Sequence, residues 1–183
     1  MSAFCIYLNL PTYLAQWYAY ECRAHHFIEE DICPKDPYVP LNPVEPIRNS
    51  QESRILEQFL QKQPSAVPEP VPEDATIAIA IPYYRDKDPR TYNYLGAHAK
   101  LLLAKAISER FKREMWDELH CFLSYLHQRE RKDELIYCFM ENHGIELTET
   151  NWLAIDKIYQ RARDVYRTTK SRKKLSTSGK KIR

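Results

Sequence analysis

The sequence predicts an α+β protein that is mainly helical, with a small sheet packed by helices. Two short segments, near residues 4–10 and 76–81, are rich in β-branched and aromatic side chains, as strands are. From about Leu95 onward, apolar residues recur at three- and four-residue steps, which is the period of an amphipathic helix. Only 3 of the 183 residues are glycine, whereas 12 are proline, so glycine-rich phosphate-binding loops are not expected.

The first predicted strand, residues 4–10 (FCIYLNL), ends at a proline, which cannot continue a ladder of hydrogen bonds. Thr12 can cap a helix over residues 13–27, because its hydroxyl can accept a hydrogen bond from a backbone N–H of the first turn. One side of that helix would carry Leu14, Trp17 and Tyr18.

Five prolines in residues 34–46 recur at every third position, which matches the three residues per turn of polyproline II. This proline strap could be a ligand for an aromatic-lined groove of a partner, or it could lie along the protein's own surface. Its apolar neighbours Tyr38, Val44 and Ile47 favour the second interpretation. A second proline-rich segment, residues 64–72, predicts an exposed loop.

Between these segments, Asn49 and Glu52 have the spacing of a capping box, which predicts the start of a helix that ends before Pro64. Residues 76–81 (TIAIAI) are the second strand, and the alternate alanines indicate that both of its faces are covered. A polar, tyrosine-rich loop is predicted at residues 82–96.

Two helices are predicted between residues 95 and 126, with a boundary in the charged run at residues 109–114. Another helix should run from Asp133 to Asn142 and end at Gly144, because glycine readily adopts the left-handed conformation that ends a helix.

Thr148 can cap a further helix that begins near Glu149. Two helices joined by a short turn are typical of a helix-turn-helix unit.

Charge divides the chain. From Asn151 to Arg183 there are eleven Lys or Arg and two acids, a net charge of +9 (11 − 2), whereas residues 1–150 have sixteen bases and twenty-three acids, or −7 (16 − 23). A basic arm commonly binds phosphate backbones, although it can also be a solvated tail without a partner. We predict three parts, which are an acidic α+β body (1–130), a helix-turn-helix-like unit (131–170) and a basic, disordered tail (171–183).

The helix after Thr148 has an apolar side, with Trp152, Ile155 and Tyr159 extended by Tyr166 and Val165, and a basic side. Basic side chains neutralise phosphates, and Arg or Gln can reach base edges. We therefore predict a nucleic-acid-binding surface, with duplex DNA as the expected ligand and DNA favoured over RNA. It is formed by Lys157, Gln160, Arg161, Arg163, Arg167, Lys170, Arg172, Lys173 and Lys174.

Catalytic, metal and cofactor sites are not predicted. Asp86 and Asp88 lack the separated acid on an apolar strand that a metal nuclease would need. Irregular spacing argues against a zinc site formed by Cys22, His25, His26 and Cys33. We therefore expect a binding protein and not an enzyme.

Five irregularly spaced cysteines, without a recognisable signal peptide, predict reduced thiols and a cytoplasmic location. No apolar run approaches the roughly 18 residues of a membrane span.

Two other functions stay open. The acidic body or the proline strap could serve a protein–protein adaptor, and Tyr83, Tyr84, Tyr92 and Tyr94 could stack on the bases of a single-stranded nucleic acid. The oligomeric state is not predictable.

Three runs also resemble a known group of proteins: FCIYLNLPTYLAQW, DPRTYNYL and ELIYCFMENHGIELTETNWLAIDKIYQRARDVYR. They are similar to small proteins, without an assigned activity, that phages and conjugative elements of gut Bacteroidetes carry. The resemblance covers most of the chain and implies an accessory or regulatory protein of a mobile element.

Overall fold

The computed structural model describes residues 4–27, 38–64, 70–126 and 132–178. The predicted class, α+β and mainly helical, is confirmed. The elements in these residues are β1 (Cys5–Leu8), α1 (Thr12–Phe27), α2 (Gln51–Phe59), β2 (Gln61–Lys62), β3 (Ile77–Ala80), β4 (Tyr92–Tyr94), α3 (Ala97–Leu126), α4 (Lys132–Asn142) and α5 (Glu149–Ser178).

The chain forms two compact units. The first, which we call the sheet unit, comprises Met1–Phe111 and Glu141–Glu146. The second, the helical unit, comprises Lys112–Met140 and Leu147–Arg183. The chain first passes from one unit to the other at residue 111, whereas the acidic body was predicted to end at residue 130.

Both predicted strands are present in the sheet unit. β1 and β3 pair antiparallel, with Cys5 opposite Ala80 and Leu8 opposite Ile77. All four residues of β3 are buried, which explains why its alternate positions are alanine and not polar residues.

The described part of the proline strap lies along the other edge of β3. The Val44 N–H donates to the Ala78 carbonyl at 3.0 Å, and the Ala80 N–H donates to the Val44 carbonyl at 2.9 Å. Pro46 is buried. This part of the strap is therefore bound within its own chain, while Pro34 and Pro37 lie outside the described residues.

A second two-stranded sheet pairs β2 with β4, and the sequence did not predict it. Its strands have only two and three residues, too few to show an alternating pattern. Part of the predicted polar loop at residues 82–96 is therefore β4.

Helix α2 begins one residue later than the capping box had placed it. The cap is Ser50, whose side chain accepts a hydrogen bond from the Ser53 N–H at 3.1 Å. Glu52 is buried instead of reaching back to the cap. Asn49 adopts a φ of 61°, a left-handed conformation that asparagine tolerates better than most residues.

Helix α3 runs without interruption from Ala97 to Leu126, so the predicted boundary at residues 109–114 is wrong. The charged residues there take solvent-facing or half-buried positions, whereas Phe111 between them is buried. Phe111 packs against Trp17 of α1, with ring centroids 5.2 Å apart in an edge-to-face arrangement. Neither glycine nor proline occurs within this helix to break it.

The turn after α4 packs on α1 in the sheet unit. His143 Nδ1 lies 2.8 Å from a carboxylate oxygen of Glu21, and the Glu146 N–H donates to the Gln16 side chain at 3.1 Å. Gly144 has a φ of +62°, as predicted for a glycine that ends a helix. A Cβ there would also lie 2.5 Å from the Tyr20 ring.

Candidate nucleic-acid interface

The predicted succession of two helices at the C-terminal part of the chain is confirmed, but its connection is long. Helix α4 ends at Asn142 and α5 begins at Glu149, where the Asn151 N–H donates to the Thr148 hydroxyl at 3.3 Å. The six connecting residues exceed the three or four of a tight helix-turn-helix.

Aromatic rings fix which side of α5 faces inward in the helical unit. Ile155 and Tyr159 are buried, and the Trp116 ring of α3 stacks on Tyr159 with centroids 5.7 Å apart. Trp116 also stacks on His120 at 4.2 Å. Since these contacts hold the apolar side, the opposite side of α5 is left to solvent.

An ion pair between a half-buried lysine and a buried aspartate reinforces this orientation. The Lys132 ammonium of α4 lies 2.7 Å from Asp156 Oδ1, and Asp156 is buried on α5. The amide of Gln160 donates to Asp156 Oδ2 at 2.5 Å. The sequence did not predict this pair, because the partners are 24 positions apart and no local spacing connects them.

The outward side of α5 carries two cations that are fully available. The side chains of Lys157 and Arg161 are exposed and make no hydrogen bond or ion pair with any other described residue. At about 100° per residue they stand roughly 40° apart around the helix axis, one turn from each other. The orientation of this face agrees with the one the sequence predicts.

Two other predicted members of the surface are less available. The amide N–H₂ of Gln160 is already bound to Asp156, so this side chain offers mainly its carbonyl oxygen. Arg163 is half-buried, and its Nε lies 3.9 Å from a carboxylate oxygen of Asp164. Asp164 itself is exposed on the same face as Lys157 and reduces the local positive charge.

From Asp164 to Lys170 every residue of α5 is exposed. Val165 and Tyr166 were predicted on the inner side, but they expose 67% and 41% of their surface, so the buried stripe ends before them. The Lys170 ammonium lies 5.6 Å from the Tyr166 ring centroid, a cation–π contact, and Arg167 is exposed.

The predicted change from helix to disordered tail at residue 171 is wrong for the residues up to Ser178, which continue α5. Arg172, Lys173 and Lys174 therefore belong to the helix backbone. The remaining tail, residues 179–183, lies outside the described residues.

His120 of α3 is a titratable side chain that lies beside the second half of α5. Burial lowers the pKa of His120 from its usual value of 6.5, and the positive charge of Lys170 lowers it further. A neutral ring is thereby favoured in contact with Trp116 and Tyr166, with the His120 and Tyr166 centroids 4.8 Å apart.

The four tyrosines considered for base stacking differ in availability. Tyr83 is 79% exposed. Tyr84 is half-buried, and its hydroxyl donates to the Ser53 carbonyl at 2.9 Å. Tyr92 and Tyr94 are half-buried in β4, and Lys62 covers the Tyr92 ring. Only Tyr83 of these four has a ring open to a stacking partner.

The cysteine and acidic clusters weighed as metal sites are not assembled in the described part of the chain. No group of three His, Cys, Asp or Glu side chains among the described residues is placed to hold a metal ion. Cys22 is buried, and burial raises the pKa of its thiol to about 12, while Cys33 lies outside the described ranges. Asp88 instead accepts a hydrogen bond from the Arg90 N–H at 2.9 Å.

No protein-family model, curated protein or solved structure gives a significant match to this chain. Among the helices described, none combines the length and apolar character needed to cross a bilayer.

Proposed function

We propose that this chain is a duplex-DNA-binding accessory or regulatory protein, without a catalytic role, and that α5 from Lys157 onward is its contact surface. The observation that carries the proposal is the exposure of Lys157 and Arg161, with no partner for either among the described residues. Had either guanidinium or ammonium been paired with a carboxylate, the counterion release that drives DNA binding would be smaller.

The amount and distribution of charge support a polyanionic partner. Between Lys157 and Ser178, α5 has eight Lys or Arg and one acid, Asp164, a net of +7 (8 − 1). At about 1.5 Å per residue, this 22-residue stretch is roughly 33 Å long, close to one turn of B-DNA at about 34 Å. A stretch of that length can contact phosphates along one face of the duplex.

Phosphate contact is better supported than base reading. In a helix-turn-helix protein, the N-terminal residues of the second helix contact base edges. Here those residues include the acid Glu149 and the exposed Leu153, and they contain no Lys or Arg before Lys157. We therefore infer binding with modest sequence preference.

The direct test is fluorescence anisotropy of a labelled 20-base-pair duplex against the wild type and Lys157→Gln/Arg161→Gln. Removing two phosphate contacts should weaken binding about tenfold or more at moderate salt. Lys105→Gln is the matched control, because it removes an exposed lysine from α3 in the sheet unit. Equal affinity of the double variant and the control would contradict the proposal.

The resemblance to mobile-element proteins would place this activity in a phage or conjugative element, in the bacterial cytoplasm. That part of the proposal rests on the resemblance alone. The wild type and Lys157→Gln/Arg161→Gln can each be expressed from the element. Measurement of the DNA that co-purifies with each of them would test it.

A further inference from the structure

A cavity of about 790 Å³ in the sheet unit combines features of a ligand site. Its walls come from residues 45–49 before α2, from α2 itself, and from residues 81–90 that follow β3, together with Phe4. The volume is within the roughly 300–1,000 Å³ of sites for small organic ligands. The α5 surface plays no part in it.

Three arginines line this cavity: Arg48, Arg54 and Arg90. Each is exposed, and none has an ion-pair or side-chain hydrogen-bond partner among the described residues. A guanidinium offers planar, paired N–H donors that fit a carboxylate or phosphate. The described part of the chain pairs none of these three guanidinium groups, so their N–H donors are available to a ligand.

An aromatic ring stands on the same wall. Tyr83 lines the cavity and is 79% exposed. Among the described residues it makes no ring contact and no hydrogen bond. Exposing a tyrosine ring has no folding benefit, whereas a planar ligand can stack on it.

The loop that carries Tyr83 and Arg90 is held firmly against α2. The Lys87 ammonium donates to the Gln58 carbonyl at 3.2 Å, to the Leu60 carbonyl at 2.9 Å and to the Glu57 carbonyl. These bonds satisfy carbonyls at the C-terminal end of α2. These bonds anchor the loop between Tyr83 and Arg90 on α2.

Carboxylates are also present, and they restrict the ligand. Glu45 and Glu57 line the cavity and have no ion-pair partner in the described residues, while Asp88 is occupied by the Arg90 N–H. A purely anionic ligand would leave these two acids unused. A ligand with amino donors as well as an anionic group would use both sets.

We propose that this cavity binds a nucleotide, with its phosphate on Arg48, Arg54 and Arg90 and its base against Tyr83. An exocyclic amino group of the base would donate to Glu45 or Glu57. The nucleotide could be free or could be a residue of a single strand. This site is separate from the α5 surface and does not depend on duplex binding.

Isothermal titration with AMP tests the site, with inorganic phosphate, adenosine and an eight-nucleotide single strand of deoxyadenosine as parallel probes. AMP should bind saturably, and phosphate or adenosine alone about tenfold more weakly or worse, since each retains half of the contacts. Arg54→Gln/Arg90→Gln and Tyr83→Ala should each weaken AMP about tenfold. Arg85→Gln, an exposed neighbour in the same loop that does not line the cavity, should leave AMP binding unchanged.

The outcomes separate the possibilities. If the single strand binds at least as tightly as AMP, and the cavity variants weaken its binding, the site is one for single strands. If the strand does not bind, the site is one for free nucleotides. No saturable AMP binding, or AMP binding unaffected by Tyr83→Ala, overturns the proposal. Unfolding curves show whether each variant folds, and duplex binding by the pocket variants should stay unchanged, which keeps this test distinct from that of α5.

Discussion

The two halves of α5 differ in what surrounds them. In the first half, Ile155 and Tyr159 are buried, and Lys157 and Arg161 face solvent. In the second half, every residue from Asp164 to Lys170 is exposed. The same helix therefore passes from a segment with a buried apolar side to one in which an exposed Tyr166 still contacts the Trp116 and His120 rings.

The difference indicates how each half is stabilised. Burial of apolar side chains supports the first half, whereas a helix without such burial is only marginally stable in water when it is shorter than about 12–15 residues. Basic residues in the second half also repel one another. A polyanion would neutralise them, so the helix of the second half should become more stable when its partner binds.

The largest expected effect on stability comes from a substitution in the packed first half of α5. Ile155→Ala removes a fully buried side chain and should lower the free energy of unfolding by about 2–5 kcal/mol. Val165→Ala, in the exposed half, is the control and should change it by less than about 0.5 kcal/mol. Urea unfolding followed by circular dichroism measures both. Similar losses for the two variants would mean that the halves do not differ in packing.

The turn before α5 offers a second test of intermediate size. Gly144→Ala places a Cβ in a left-handed backbone conformation and against the Tyr20 ring, and should cost about 1–3 kcal/mol of stability. Gly96→Ala should cost less than Gly144→Ala, because no atom lies within 4 Å of its added Cβ and its backbone is not left-handed. Thermal unfolding of both variants decides this, and a harmless Gly144→Ala would show that the turn can rearrange.

The smallest effect concerns His120. The pKa of His120 in the folded chain is below 6.5. At pH values between the folded pKa and 6.5, the unfolded chain therefore binds a proton more readily than the folded chain. The stability associated with neutral His120 is therefore present above pH 6.5 and decreases as the pH falls toward the folded pKa. Lys170→Gln should raise that pKa, whereas Lys157→Gln should not, and NMR titration of the His120 ring measures it. A His120 that titrates at 6.5 in the wild type would contradict this account.

The spacing of apolar residues correctly predicted which sides of the helices and strands are buried. Ile155 and Tyr159 recur at helical spacing, and Ile77 and Ile79 at strand spacing, and each has the burial its pattern indicates. Gly144 was identified as a helix end because the left-handed conformation favours glycine. These features are local, so the sequence contains the information.

Features that depend on distant residues were missed or misplaced. The Lys132–Asp156 pair and the three arginines of the cavity come together only through the fold. The charged run inside α3 suggested a break, yet charges at solvent-facing helix positions cost little. Tyr166 fits the apolar stripe by spacing and contacts the Trp116 and His120 rings, but it still exposes 41% of its surface.

The most direct measurement of the central claim is the salt dependence of duplex binding. With about five phosphates contacted by α5, the plot of log Kobs against log salt should have a slope of about −4 to −5. Lys157→Gln/Arg161→Gln should reduce the magnitude of that slope by about 2, at one unit per lost phosphate contact. A wild-type slope near zero, or the same slope in the double variant, would contradict the assignment of α5 as the DNA-binding surface.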